Sequence, residues 1–125
     1  MSIEFITEDT VVDFVKKSDV VILDFTAAWC GPCKAQGIIL KDVSEEVSPP
    51  VLIGKVDVDA PENRNLVSTL KIDAMPTMVF FVSGHIVAFR GKESGGVNKI
   101  VGLQSKEFIL KVIGMLRESV QSSKS

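Results

Sequence analysis

The sequence predicts an α/β domain in which helices flank a central mixed β-sheet. The apolar runs Val20–Phe25 and Val51–Val58 have the composition of buried strands, and Cys33–Val47 between them has helical spacing of apolar residues. This strand–helix–strand order favours a parallel pair with a right-handed crossover. Farther along, Thr77–Val82, a Ser-Gly turn and the run His85–Phe89 predict an antiparallel hairpin. The parallel pair and the hairpin together give a mixed sheet.

Length, charge and cysteine content limit the possible functions. A chain of 125 residues is expected to form one domain with a core of its own. The net charge of −2 predicts neither a nucleic-acid partner nor any other polyanion. Two cysteines so close in sequence cannot form a structural framework, and they indicate a reducing compartment. The N-terminus has no basic or long apolar segment, so we expect no signal peptide, no membrane span and a cytoplasmic location, or an organelle if a transit peptide was removed.

The first predicted helix follows Thr7, which can cap it. Its expected buried face consists of Val11, Val12, Phe14 and Val15. The strand Val20–Phe25 comes next and is interrupted by Asp24, for which two interpretations exist. The carboxylate could be solvated at a strand end, or it could be buried with a raised pKa, because burial disfavours its charge.

The second predicted helix contains Gly37, which weakens a helix interior by about 1 kcal/mol. Its apolar positions are Ala35, Ile38, Ile39, Leu40 and Val43. The polar positions around them are Lys34, Gln36, Lys41, Glu45 and Glu46. Pro49-Pro50 is predicted to end the helix region and to lead into the next strand.

In the second strand, Lys55 interrupts the apolar run and, from the residues alone, could be an edge lysine that extends to water. Asp57 and Asp59 are predicted to be strand-end and turn residues. A helix is expected from about Ala60 to Leu70, since Pro61 suits its first turn. Its apolar stripe would be Leu66, Val67 and Leu70.

The second half contains Pro76, which base rates for X–Pro bonds would make trans. His85, beside the turn glycine Gly84, is expected to lie on the surface and not to act as a catalytic base. The last helix is expected to be capped by Ser105. Its predicted buried face is Phe108, Ile109, Val112, Ile113 and Leu116. The domain is therefore assigned to residues 1–118, and residues 119–125 are expected to be a disordered polar tail.

The stretch Trp29-Cys30-Gly31-Pro32-Cys33-Lys34 holds the two cysteines and the single tryptophan. A cysteine pair at this spacing can close as a disulfide or open as a dithiol, which makes it a two-electron switch. The chemistry requires an exposed, partly ionised Cys30, because the thiolate is the nucleophile. Cys30 falls where a strand gives way to a helix, and a helix N-terminus favours a negative sulfur. A zinc site is an alternative, although two sulfurs and one distant histidine leave its coordination incomplete.

The segment Asp24–Lys34 resembles the redox site of thioredoxins, and Met75-Pro76-Thr77 and Gly84 are similar to that family's cis-proline loop and hairpin turn. The resemblance extends from about Ile6 to Leu116. It implies the thioredoxin fold and protein disulfide reduction, with Cys30 as nucleophile and Cys33 as resolving cysteine. It also implies that Asp24 transfers a proton, that Lys55 lies near Asp24 and lowers its pKa, and that the peptide bond before Pro76 is cis. The implied apolar docking surface consists of Trp29, Gly31, Pro32, Met75, Pro76, Val101, Gly102 and Leu103.

The same resemblance implies a protein that binds no cofactor and works through a redox-active disulfide. We expect a monomer, although the sequence itself does not show whether the protein dimerises. Electrons would come from NADPH through a thioredoxin reductase, and disulfide-containing client proteins would receive them. Two rival functions remain: a thiol oxidase or isomerase of the same fold, disfavoured by the Gly-Pro spacer, and a thioredoxin-like binding subunit.

Two features depart from the family pattern. Ile38 replaces the usual kinking proline, and residues 91–98 belong to an apparent insertion of about ten residues, which a surface loop accepts at little cost in closure entropy. A tolerated loop is favoured over a partner contact for this insertion.

Overall fold

A computed structural model describes residues 3–48, 51–89 and 98–124, with side chains described as far as residue 122. The elements in chain order are β1 (Glu4–Phe5), α1 (Glu8–Val15), β2 (Val20–Thr26), α2 (Gly31–Glu46), β3 (Val51–Asp57), a 3₁₀ turn (Pro61–Asn63) that leads into α3 (Arg64–Thr69), β4 (Thr77–Val82), β5 (His85–Ile86), β6 (Ile100–Val101) and α4 (Lys106–Lys124). Pro49-Pro50 and most of the 91–98 insertion lie outside the described residues.

The strands form one mixed sheet in the order β1-β3-β2-β4-β5, and β6 also pairs with β4. β2 runs parallel to β3, and β4 pairs antiparallel with β5, as predicted. β2 also runs antiparallel to β4, a pairing that was not predicted. The sequence analysis did not predict β1 or β6, because a two-residue strand is too short to show a periodic pattern. Helices cover both faces of this sheet, as the sequence predicted.

Alternate residues of β2 enter two different hydrophobic cores. Val20 and Ile22 pack with Leu40 of α2 and Ile109 of α4, whereas the odd-numbered residues pack with α1. Because strand side chains alternate between faces, Asp24 falls on the same face as Val20 and Ile22. The one carboxylate of this strand therefore lies beneath the helix that carries the cysteines.

Two of the predicted buried positions, Val12 and Phe108, are wrong, and Ile38, predicted only as an apolar position of the second helix, is exposed as well. Val12, Ile38 and Phe108 are exposed by 58%, 72% and 36%. In α1 the buried stripe is Val11, Phe14 and Val15 at i, i+3 and i+4 spacing, and Val12 lies outside it. Phe108 likewise precedes the buried stripe of α4, although Ser105 caps that helix as expected, accepting from the Phe108 N–H at 3.1 Å.

The C-terminal end also differs from the prediction. Helix α4 continues to Lys124, where a disordered tail was expected from residue 119. The reason lies in the spacing of its apolar residues, because Val120 follows Leu116 by one helical turn and is 6% exposed. Within the described residues, no helix is both long and apolar enough to cross a membrane.

Candidate active site

Cys30 occupies the N-cap of α2, and Gly31 and Pro32 form the first turn of the helix. It is joined to Cys33 by a disulfide, with the two Cα atoms 5.2 Å apart. The Cys33 backbone N–H donates to the Cys30 sulfur at 3.2 Å. This hydrogen bond and the helix dipole both favour negative charge on that sulfur once the disulfide opens. The local geometry therefore stabilises a Cys30 thiolate.

Both cysteines are more buried than the sequence analysis expected for the nucleophile. Cys30 is 5% exposed and Cys33 is 3% exposed, so the expectation of an exposed Cys30 is wrong for this disulfide form. The pair packs with Ala27, and Val58 and Met75 cover it. The Cys30 sulfur lies 3.7 Å from the backbone carbonyl oxygen of Met75, which places the redox pair directly beside the proline loop.

A backbone hydrogen bond links the loop Met75-Pro76-Thr77 (the proline loop) to the loop Val101-Gly102-Leu103 (the glycine loop). The Met75–Pro76 peptide bond is cis, as the resemblance implied, and the Gly102 N–H donates to the Pro76 carbonyl oxygen at 2.8 Å. Gly102 has φ +93°, in the left-handed region that favours glycine. This hydrogen bond holds two of the predicted docking segments at a fixed separation.

Exposure differs among the predicted docking residues. Trp29 and Leu103 are exposed by 69% and 49%, whereas Pro76 is buried. The indole Nε1–H of Trp29 donates to an Asp59 carboxylate oxygen at 2.7 Å. The ring is thus held in one orientation although most of its surface faces solvent.

Asp24 is fully buried, which agrees with the second of its two interpretations. Neither of its carboxyl oxygens has a hydrogen-bond partner among the described residues. Burial raises the pKa of Asp24 from its ordinary value of 3.8 to about 7, and the positive charge of Lys55 partly opposes that rise. A carboxyl with this pKa can accept and release a proton near neutral pH.

Lys55 is the register partner of Asp24 in the adjacent strand β3. Its ammonium lies 5.9 Å from the ring centroid of Phe5 and makes no ion pair with Asp24. Lys55 is half-buried, and its charge acts on Asp24 through space.

Gln36 is a site residue that the sequence analysis placed on the polar side of the helix. It is fully buried. Its amide nitrogen donates to the Gln104 carbonyl oxygen at 3.2 Å, and its amide oxygen accepts from the Gln104 N–H at 2.8 Å. The helical spacing of Cys33, Gln36, Leu40 and Val43 could have identified it as a member of the buried stripe.

The zinc alternative would need ligands besides the two cysteine sulfurs. Within the described ranges, no group of three or more histidine, cysteine, aspartate or glutamate residues is placed to hold a metal ion. His85 is exposed at the hairpin between β4 and β5.

Comparisons with known proteins agree with this geometry. The family model described as Thioredoxin matches residues 2–111. A thioredoxin of Chlamydia pneumoniae is 36% identical over 77% of this chain and 81% of its own length. A thioredoxin of Staphylococcus saprophyticus is 32% identical over 90% of this chain and 96% of its own. The structure of a mutant thioredoxin from Halobacterium salinarum superposes with a TM-score of 0.74 at 28% identity, covering 91% of this chain and 88% of that one.

Proposed function

The chain belongs to the thioredoxin family of thiol-disulfide oxidoreductases, and on that premise we propose that its Cys30–Cys33 pair reduces disulfides in client proteins. The observation that carries the proposal is the Cys30 sulfur at a helix N-terminus, where it accepts a hydrogen bond from the Cys33 N–H. The family match over 2–111 supports one thioredoxin domain at residues 1–118, with α4 extending beyond it.

In the first step, the Cys30 thiolate attacks one sulfur of the client disulfide. A bond forms between Cys30 and that sulfur, the client disulfide breaks, and the second client sulfur leaves as a thiolate. The N-cap position supports the nucleophilic role, because it favours the ionised sulfur at neutral pH.

In the second step, Cys33 attacks the Cys30 sulfur, the Cys30–Cys33 disulfide forms, and the client sulfur that was bonded to Cys30 leaves as a thiolate. Cys33 must first lose a proton, and Asp24 is proposed to receive it because its pKa of about 7 suits a base at neutral pH. Lys55 tunes that pKa downward. The client gains two electrons, and the protein returns to the disulfide form.

The client is proposed to bind across the surface of Trp29, Gly31, Pro32, Met75, Pro76, Val101, Gly102 and Leu103. The nearness of the Cys30 sulfur to the Met75 carbonyl supports this surface, since an extended client segment could pair with the backbone there. Main-chain pairing depends little on client sequence, which suits a protein with several clients.

We further propose that a thioredoxin reductase restores the dithiol with electrons from NADPH, and that the protein works as a cytoplasmic monomer. The bacterial thioredoxins among the relatives support this assignment. A plant relative is named as an H-type thioredoxin, and a solved neighbour as a chloroplastic one, so an organelle is the alternative location.

The test is the reduction potential of the cysteine pair, measured by equilibration with glutathione while Trp29 fluorescence is followed. We expect a value near the roughly −270 mV known for thioredoxin. A value above about −180 mV would contradict the reductase proposal and favour the oxidase or isomerase. A pair with no reversible couple would instead indicate a binding subunit.

A further inference from the structure

An open groove of about 710 Å³ lies beside the redox pair. One wall is helix α2, the other comes from β1 and β3, and Cys33 lies at one point of its lining. In the sheet, β1 and β3 are on one side of β2, whereas the proline and glycine loops adjoin β4 and β6 on the other. The groove is therefore separate from the docking surface proposed for clients.

Two large apolar side chains in the groove lining are exposed to solvent. Phe5 is 64% exposed and Ile38 is 72% exposed. They come from opposite walls, Phe5 from the edge strand and Ile38 from the helix. Burying such side chains against a partner is worth roughly 25 cal/mol per Å² of apolar surface removed from water. The pair can therefore hold an apolar anchor of a bound molecule.

The charged residues of the groove are mostly basic. Lys34 and Lys41 lie two helical turns apart on α2, on either side of Ile38, and Lys55 reaches in from β3. Asp57 is the acidic residue of this lining. Within the described residues, Lys34, Lys41 and Lys55 make no ion pair with a carboxylate, in contrast to Lys106, which pairs with Asp42 and Glu46.

We propose that this groove binds an acidic segment of a partner protein through one apolar anchor residue. The anchor would lie between Phe5 and Ile38, and flanking carboxylates would pair with Lys34, Lys41 and Lys55. Charge complementarity argues for this occupant, because the groove is basic in a chain whose net charge is −2. That net charge disfavours nucleic acid, and three lysines are fewer than the four to eight basic residues that bind anionic membranes.

The proposal goes beyond disulfide reduction, since the partner needs no disulfide to bind here. Lys55 adds a specific consequence, because it also influences Asp24. A carboxylate placed on Lys55 would weaken the effect of that positive charge on Asp24 and so raise the Asp24 pKa further. Occupancy of the groove would therefore shift the titration of Asp24 upward in pH.

The probe is a fluorescein-labelled peptide of alternating glutamate and leucine that contains no cysteine. The oxidised full-length protein is added to it in increasing concentration, and binding is followed by the fluorescence anisotropy of the peptide. We expect saturable binding that weakens as salt rises. Ile38→Ser and Lys41→Glu should each weaken it by about fivefold or more, as expected for losing an anchor or reversing a contacting charge. Both residues are exposed, so both variants are expected to fold, which circular dichroism checks.

The matched control is Lys111→Glu, the same charge reversal at an exposed position on α4. It should change the affinity by less than about twofold if the effect is local to the groove. Absence of peptide binding, equal loss in the control, or binding that requires Trp29 would each overturn the proposal. So would binding to phosphatidylserine vesicles without binding to the peptide. Since the peptide has no disulfide, its failure to bind would leave the proposed reductase function intact.

Discussion

Gln36 and Gln104 exchange two hydrogen bonds, one in each direction, between helix α2 and the backbone that precedes α4. The side chain of Gln104 in turn donates to the carbonyl oxygens of Val101 and Gly102, each at 3.3 Å. The helix that carries the cysteines is thereby connected to the glycine loop of the docking surface. A buried side chain three residues after Cys33 thus helps to set the shape of the surface that clients meet.

The first prediction concerns Gln36→Ala. The substitution removes the partners of the Gln104 N–H and carbonyl groups, so we expect unfolding free energy to fall by about 1–3 kcal/mol in urea denaturation. Freeing the glycine loop should raise KM for a protein disulfide more than it changes kcat. Gln121→Ala, at an exposed position on α4, is the control and should change neither quantity. An equal loss for a small disulfide and a protein disulfide would contradict a role in client docking.

The second prediction concerns Asp24→Asn and pH. Asp24 has a pKa near 7 when folded and 3.8 otherwise, so the folded chain binds this proton more tightly than the unfolded chain. The contribution of Asp24 to the unfolding free energy is fully present below about pH 4 and is lost as the pH rises through 7. Above that pH the wild type carries a penalty on the order of 4 kcal/mol, which the asparagine variant should lack.

The measurement is the urea unfolding free energy from pH 4 to pH 9. The difference between variant and wild type should grow in favour of the variant as pH rises. Asp73→Asn is the matched control at an exposed aspartate and should track the wild type. A difference that does not vary with pH would show that Asp24 does not titrate in this range.

The third prediction separates the roles of the two cysteines. Cys33→Ser removes the resolving sulfur, so the mixed disulfide between Cys30 and a client should accumulate, as seen by intact mass after mixing with an oxidised client protein. Cys30→Ser should give little adduct, because the remaining Cys33 lacks the N-cap position. Adducts of equal yield from both variants would contradict the assignment of Cys30 as nucleophile.

The fourth prediction concerns the hydrogen bond between Trp29 and Asp59. Asp59→Ala frees the indole, and re-ordering one freed side chain on binding costs about 0.5–1.5 kcal/mol. We expect kcat/KM for a protein disulfide to fall by about twofold to tenfold, with stability changed by less than about 1 kcal/mol. Trp29 fluorescence should also change. The same fall in Asp13→Ala, at an exposed aspartate on α1, would indicate a general charge effect.

The fifth prediction compares two glycines. A Cβ on Gly54 in β3 would lie 2.6 Å from a side-chain carbon of Ile6 and 2.9 Å from the ring of Phe14. Gly54→Ala should therefore lower the unfolding free energy by about 1–3 kcal/mol through overpacking. At Gly114 in α4 a Cβ meets nothing within 4 Å, and Gly114→Ala should stabilise the protein by up to about 1 kcal/mol. Equal effects at the two positions would contradict close packing at Gly54.

Long apolar runs made the central architecture predictable from the sequence. β2, β3 and β4 were foreseen because apolar residues form the majority in each of these segments of six or seven residues. The redox pair was foreseen because the whole stretch Trp29–Lys34 resembles the thioredoxin redox site, whereas the spacing of the two cysteines alone would also suit zinc. The cis bond before Pro76 required the family resemblance, since composition alone favours trans.

What remained unpredicted depends on contacts between distant segments. The strand β1 exists because Glu4 and Phe5 pair with Gly54 and Lys55, and no pattern in two residues can show that. Gln36 is buried because the Gln104 backbone satisfies its amide from 68 positions away. A polar residue is expected outside until such a partner is known.

The hydrogen bond from Gly102 to Pro76 also has a consequence for the order of events during synthesis. A chain made from its N-terminus presents both cysteines, at positions 30 and 33, well before residues 76, 102 and 104 exist. Domains generally fold as units once their chain is complete. The growing polypeptide therefore carries its two thiols before it has either the helix N-terminus that activates Cys30 or the loops that select clients. Activation of the thiol and selection of clients are thus acquired together, once the last fifth of the chain has been translated.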